Sequence, residues 1–487
     1  MVIIKRSLLV SIFIALLISP SGLNAQFSVE TTGIISSEST TPFWFQSNRN
    51  GIYSNEGSQF LARFQYHDSY TDLENINLHY GASFITRPGD QSTLTLNQGY
   101  LKIEGYGLEL AGGRFIDPSP LFYNNELGMG SLGVSTNASP IPKAKLGLQD
   151  WVSVPFTNNF VEIFGYIAHG WLGSERYAND VLLHEKAGYL KFGGDRAVNV
   201  YGGLVHYVQW GGSNPDEGDI PNGFSDFIDI FFAQSGDAST PGQEQAYVLG
   251  NQLGTWTFGS EIELQNADLS IYLQSPIETK YDLKFKNMNE ILTGILIDFK
   301  KSTNLPIDKF VYEYMNTKNQ GGPRRLDPEA DPSIDLYRGN QNYYNHQIYK
   351  TGWAYHFRTI GNPLFKADPE ALGILNNRIV AHHVGVESNF KSVHLFGKLT
   401  YSNNYGKRCD NRIPDIGEGE LFGIQCVDEM TINPGSPISQ WSFLAGTEFP
   451  LPIISNQNIR FRIEAALDSG RLFGDQFGIL TGIKWTP

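Results

Sequence analysis

The pattern of apolar and polar positions has a period of two. In Ile459-Arg460-Phe461-Arg462-Ile463-Glu464-Ala465 the two kinds alternate strictly. Ile459, Phe461, Ile463, Ala465 and Leu467 make one face. Arg460, Arg462, Glu464 and Asp468 make the other. Successive side chains of a β-strand point to opposite faces, so this is a strand with one apolar and one wet side. The pattern recurs at Phe477, Ile479, Thr481, Ile483 and Trp485, and at Trp441, Phe443, Ala445 and Phe449. It recurs again at Val393, Leu395, Leu399 and Tyr401, and at Phe60, Ala62, Phe64 and Tyr66.

Two architectures have such strands. A soluble sandwich buries the apolar face against a second sheet. A membrane barrel turns it to lipid and keeps the charges in its lumen. Three features favour the barrel. The segments have the length of a tilted span. Aromatics sit near segment ends, at Tyr66, Trp171, Trp210, Trp441 and Trp485, as an interfacial girdle would require. The final strand ends on an aromatic almost at the C-terminus.

Counting segments predicts an all-β transmembrane antiparallel barrel of about 18 strands, an even number as in bacterial single-chain barrels. The predicted spans are 58–68, 75–86, 92–104, 108–115, 149–156, 160–172, 184–193, 197–210, 255–264, 269–278, 289–299, 307–317, 350–360, 378–390, 392–404, 440–451, 458–469 and 477–485. Long connections fall at 116–148, 211–254, 318–349 and 405–439. Connections of that length are usually functional or disordered, and these are expected to fold inward and plug the lumen. Strand parity puts three of the four on the periplasmic side, against the usual rule. One missed strand would reverse them.

Residues 1–25 read as a secretory signal. Lys5 and Arg6 give the positive start, Ser7 to Ile18 the apolar core, and cleavage is expected before Gln26. Residues 26–487 then form one barrel domain, in the cell outer membrane and in contact with its lipid. Composition adds exclusions. With 36 basic and 50 acidic residues the net charge is −14, which phosphate repels, so nucleic acid is not an expected partner. The chain has 2 Cys, Cys409 and Cys426, both in one long connection, so a disulfide scaffold is excluded. In an oxidising envelope the pair is a disulfide candidate worth roughly 3 kcal/mol.

The chemistry-bearing motifs fail one by one. Gly128-Met129-Gly130-Ser131-Leu132-Gly133 matches G-x-G-x-x-G, but prolines surround it and it reads as a flexible loop. His184-Glu185-Lys186-Ala187-Gly188 starts like a zinc motif and lacks its second histidine. His382 and His383 are adjacent on a strand, so they point to opposite faces. The acidic groups Asp216, Glu217 and Asp219, and Asp327, Glu329, Asp331 and Asp335, read as solvated loop charge rather than a Ca²⁺ site. No G-x-S-x-G elbow occurs. No cofactor, metal or catalytic residue is assigned, and no enzyme is expected.

One opening motif and several later ones carry a resemblance. The opening is Thr41-Pro42-Phe43-Trp44-Phe45-Gln46-Ser47-Asn48-Arg49-Asn50-Gly51. Gly203-Leu204-Val205-His206, Leu249-Gly250-Asn251-Gln252-Leu253-Gly254, Asn342-Tyr343-Tyr344-Asn345-His346 with Gly352-Trp353, and Asn403-Asn404-Tyr405-Gly406 follow in order. Together they resemble the Wzi-like capsule-assembly outer-membrane proteins in their Bacteroidetes form, over roughly 35–485. The resemblance implies an 18-stranded barrel with a lectin-like role: it binds or organises capsular polysaccharide at the cell surface without catalysis. Trp44, Tyr343, Tyr344 and Trp353 suit stacking on sugar faces, and Arg49, Asn345 and His346 suit hydrogen bonds to hydroxyls or acidic sugars. The same residues suit an internal role, holding inserted loops to the barrel. The alternative function is an outer-membrane porin or substrate channel.

Overall fold

The computed structural model describes residues 26–73, 75–88, 93–120, 126–236, 248–278, 280–285, 288–301, 305–321, 341–368, 373–407, 437–452 and 458–487. The signal segment, both cysteines and the acidic group at 327–335 lie outside the described residues.

The main sheet has 19 strands, of which Val152–Ser153 is a two-residue fragment that shares a neighbour with Pro142–Leu148. The rest run in chain order as β1 (Gln26–Ser36), β2 (Gln59–Leu73), β3 (Ile76–Arg87), β4 (Thr93–Gly105), β5 (Leu108–Arg114) and β6 (Pro142–Leu148). Then come β7 (Val161–Gly173), β8 (Val181–Phe192), β9 (Val198–Trp210), β10 (Asn251–Glu263), β11 (Ala267–Ile277) and β12 (Ile291–Phe299). The last six are β13 (Lys309–Asn316), β14 (Ile379–Phe390), β15 (Val393–Asn404), β16 (Ile438–Pro450), β17 (Asn458–Gly470) and β18 (Gln476–Thr486). Each pairs antiparallel with the next. β1 pairs with both β2 and β18, closing an 18-stranded barrel without a free edge.

The predicted count and the observed count agree through two compensating differences. β1 is absent from the prediction, because Thr31-Thr32 and Ile34-Ile35 break its alternation. The predicted span 350–360 is not a barrel strand. Its Trp353-Ala354-Tyr355-His356-Phe357-Arg358 alternates well, but the chain turns back on itself there. The predicted 149–156 stands one segment late for β6.

β1 also corrects the sidedness. Counted with it, the long connections 37–58, 115–141, 211–250, 317–378 and 405–437 all follow odd-numbered strands and so leave from one end. Even-numbered strands are followed by shorter links, such as Tyr106-Gly107, where both residues have the positive φ (53° and 79°) that a two-residue hairpin needs. In bacterial outer-membrane barrels the long loops face outward from the cell and the short turns face the periplasm.

The outer wall is apolar. Leu101, Leu110, Ile167, Leu190, Val200, Ile271, Leu399, Leu467 and Ile483 are exposed on it, as lipid contact requires. Among the described residues no helix is long and apolar enough to cross a membrane. Of the expected girdle, Trp171 and Trp441 are exposed at 47% and 49%, whereas Trp210 is buried at 4%. The helix α1 (Phe224–Phe232) covers Trp210 from outside the wall, with Phe227 at 5.9 Å. Tyr66 is buried too, its hydroxyl on Asp68. The inner wall mixes polar and apolar side chains. Toward the short-turn end it carries cross-strand ion pairs such as Glu30–Arg63 (3.3 Å) and Glu162–Lys191 (3.2 Å).

Candidate functional site

The molecule's core lies inside the barrel. Three of the long connections, 37–58, 115–141 and 317–378, send segments inward. Their apolar residues Phe43, Trp44, Phe45, Met129, Leu132, Tyr343, Trp353 and Phe365 form one cluster with the inward residues Leu61, Ile85, Val205, Tyr207, Val311 and Leu480. An apolar short helix such as Phe43–Gln46 is stable only when buried all round. Here the Asp468 carboxylate of β17 accepts its first N–H at 2.8 Å.

Wall side chains satisfy the backbone of the 126–141 segment. Glu313 accepts the Met129 N–H, Gln274 accepts those of Leu132 (2.9 Å) and the Ser131 hydroxyl (3.0 Å), and the His383 ring meets Leu127 O at 2.6 Å. This is the G-x-G-x-x-G stretch. It is a loop, as expected, but a packed one whose amides are taken by the wall. Buried amides need such partners, which explains polar residues pointing into an otherwise apolar plug. Asp117 anchors the same connection to Lys143 and Lys145, each at 2.8 Å. Burial pushes its carboxyl up, and the two ammonium groups more than reverse this, holding it below the usual carboxylate range.

All seven residues singled out in the sequence lie in this plug or its contacts. Trp44 is 1% exposed, with Lys398 Nζ 4.4 Å from its ring and His383 at 5.3 Å. The Trp353 indole donates to Gly133 O at 2.7 Å. The Tyr344 hydroxyl donates to Leu132 O at 3.1 Å, and its N–H to Glu278 at 2.6 Å. Burial raises the Glu278 carboxyl well above its ordinary value. The Tyr343 hydroxyl accepts the Gly321 N–H at 3.1 Å. These four rings have no face open to a sugar; they join the plug to itself and to the wall. Arg49, Asn345 and His346 are half-buried. Arg49 reaches Glu464 at 2.9 Å. Asn345 receives Ile374 N–H at 2.7 Å and donates back to Ile374 O at 3.0 Å. His346 accepts the Ile348 and Tyr349 N–H groups.

The open surface of the plug holds residues that the sequence did not mark. Loop 174–180, loop 211–222 and segment 341–359 meet there. Tyr177 donates to Asp216 at 2.7 Å, and Lys350 lies 2.6 Å from the same carboxylate. This pairing accounts for one member of the first acidic group. Ala354–Tyr355 and Arg358–Thr359 form a two-residue hairpin, with His356 and Phe357 at its tip at φ 47° and 61°. Phe357 is half exposed, and the His356 ring lies 4.1 Å from that of Tyr355. Arg358 donates to Gln46 O (2.9 Å) and Tyr53 O (2.5 Å), and Arg176 to Gly352 O and Ala354 O (both 3.3 Å). Burial lowers both guanidinium pKa values to about 10. Scattered single arginines carry no spacing that a sequence reading could find.

A closed 18-stranded barrel with an apolar outer wall and a lumen filled from its long-loop end defines a plugged outer-membrane protein. The chain belongs to the capsule assembly protein Wzi family, which matches residues 30–371. No curated protein matches the sequence. Among solved structures, the chain is similar to Wzi of Escherichia coli, described as a carbohydrate-binding β-barrel involved in group 1 capsule assembly. The TM-score is 0.56 at 14% identity, covering 94% of this chain and 83% of that one. At that identity the likeness speaks for the fold. OpdL of Pseudomonas aeruginosa gives a TM-score of 0.47 at 8% identity, with 96% and 99% covered. OmpT of Vibrio cholerae, lacking one loop, gives 0.38 at 8% identity, with 96% and 99% covered.

Proposed function

We propose that this is a non-catalytic outer-membrane protein that binds capsular or other surface polysaccharide and holds it at the cell surface. The observation that carries this reading is the plug. A barrel of this width leaves an aqueous channel unless something fills it, and here a packed core fills it. That speaks against the porin alternative and for a binding surface. Membership of the Wzi family supports the same reading. In this proposal Trp44, Tyr343, Tyr344 and Trp353 carry the platform, and Arg49, Asn345 and His346 fix its edges; sugar meets the open surface around them. The remaining partner is outer-membrane lipid along the apolar wall.

Deleting the protein should leave polysaccharide synthesis intact and raise the share of polymer released to the medium. A complement carrying Trp44→Ala and Tyr344→Ala should restore attachment poorly. The measurement is the ratio of cell-bound to released polysaccharide. An unchanged ratio in the deletion strain overturns the attachment role, and polymer shortened by the purified protein overturns the non-catalytic one.

A further inference from the structure

The chain is acidic overall, yet four guanidinium groups from the plug and from the wall at its long-loop end lie around one hairpin. Arg358 sits opposite Tyr355 in that hairpin. Arg114 and Arg176 both lie within electrostatic reach of Tyr355, and Arg87 within reach of Arg358. Arg87 ends β3 and Arg114 ends β5, both at the long-loop end. Arg87 donates to Ile52 O, and Arg176 and Arg358 likewise spend their bonds on backbone carbonyls. None of the four forms an ion pair among the described residues. The Nε atoms of Arg87 and Arg176 are buried without a partner, and Arg176 is 9% exposed. The acids nearby are Glu175, 71% exposed and bound to His356 at 2.9 Å, and Glu56, which feels Arg87. A carbonyl satisfies a guanidinium's hydrogen bond and leaves its charge uncompensated. Unpaired charge held away from water is costly, and it projects a field that attracts anions.

The hairpin tip is unusual in itself. His356 and Phe357 both occupy the left-handed region, which the tightest hairpin turns require and which glycine, asparagine or aspartate normally fills. Two ringed residues are held there at a conformational cost, with Phe357 turned outward. Strain of this kind persists where a site needs it.

We propose that this hairpin, with Arg87, Arg114, Arg176 and Arg358, is a subsite for the carboxylate-bearing sugars of an acidic polysaccharide. Phe357 and His356 supply the apolar and imidazole surface beside which the sugar ring lies, and the guanidiniums take the carboxylate, for which their forked donors are matched. The inference rests on the glycan-binding reading above and adds the charge class of the glycan and its contact residues.

The test uses the full-length protein in detergent and the surface polysaccharide extracted from the source organism, native and after chemical reduction of its carboxyl groups. The Arg114 side chain makes no hydrogen bond among the described residues, so Arg114→Gln should fold normally; Phe357→Gly relieves the turn and removes the ring. Native polymer should bind at least about tenfold tighter than reduced polymer at low salt, where the screening length is roughly 10 Å, and the gap should close at 1 M salt, where it is roughly 3 Å. Arg114→Gln should weaken native-polymer binding by about fivefold and leave reduced-polymer binding unchanged. Phe357→Gly should weaken both. Equal binding of the two polymers, or an Arg114→Gln protein that binds like the parent, overturns the acidic subsite while glycan binding stands. Failure of both polymers to bind overturns the glycan-binding reading together with the subsite.

Discussion

Glu464 is the carboxylate on which the plug and the wall agree. It lies on β17 with no exposed side-chain surface, takes Arg49 from the plug at 2.9 Å, and takes Arg462 from its own strand. Removing one member of such a group leaves buried charge without a partner. Glu464→Ala should therefore cost about 3–5 kcal/mol, seen as faster protease cleavage within 43–58. His346 gives a second prediction. Burial lowers its pKa from 6.5 to about 4, and its ring accepts two backbone N–H groups as the neutral form. The unfolded segment takes up a proton below about pH 6.5 and the folded one only near pH 4, so stability is lost as pH falls through that window. Amide-exchange protection of 342–353 should drop by up to about tenfold per pH unit there. His346→Asn, which keeps an acceptor and loses the titration, should flatten the curve. At this scale the sequence marked the seven residues, because their motifs are compact, and left open whether they meet sugar or hold loops to the barrel. It did not show that the four rings are sealed, since burial depends on segments far apart in the chain.

Strict alternation made most strands legible, though not β6, whose Lys143-Ala144-Lys145-Leu146 alternates inside what reads as a long connection. β17 and β18 follow from their residues alone. β1 does not, because its inward Thr32 and Ile34 sit beside outward Thr31 and Ile35, and only its two neighbours establish it as the closing strand. The 350–360 segment shows the converse: good alternation, and two residues at positive φ that break the strand. Helix α1 had its own signal, with Phe224, Phe227, Ile228 and Phe231 at helical spacing. What no pattern could tell is that it packs outside the barrel. Outward Val208 and Trp210 are buried beneath Phe227 and Ile230, while Lys186 caps the helix end through Phe231 O with its ammonium 3.9 Å from the Phe231 ring. Phe227→Ala should loosen this contact by about 1–3 kcal/mol. Exchange protection of 224–232 should fall, with that of β9 unchanged. Equal loss in both would mean that the helix is part of the wall rather than docked upon it.

At the scale of the whole molecule, the wall and the plug divide the work. Backbone pairing around a closed ring satisfies the membrane-embedded peptide groups, so the wall's backbone hydrogen bonds need nothing from the lumen. The plug does need the wall: its buried amides end on Glu313, Gln274 and Asp468, which are all strand residues. For backbone hydrogen bonds the dependence runs one way, so the barrel should stand with one segment of the plug removed. Replacing residues 318–377 by a short Gly/Ser link should remove Tyr343, Trp353 and Phe365 from the core and keep β13 and β14 adjacent, since they pair directly along their length. In planar bilayers the parent protein should show no large steady conductance. The shortened protein should show stable conductance steps that the parent lacks, because one of the three segments that fill the 18-stranded wall is gone and water takes its place. Both should give the same strand-dominated circular dichroism. A parent that conducts steadily would mean that water passes the plug and that the channel reading holds. A shortened protein that fails to fold would mean that the wall depends on its core after all.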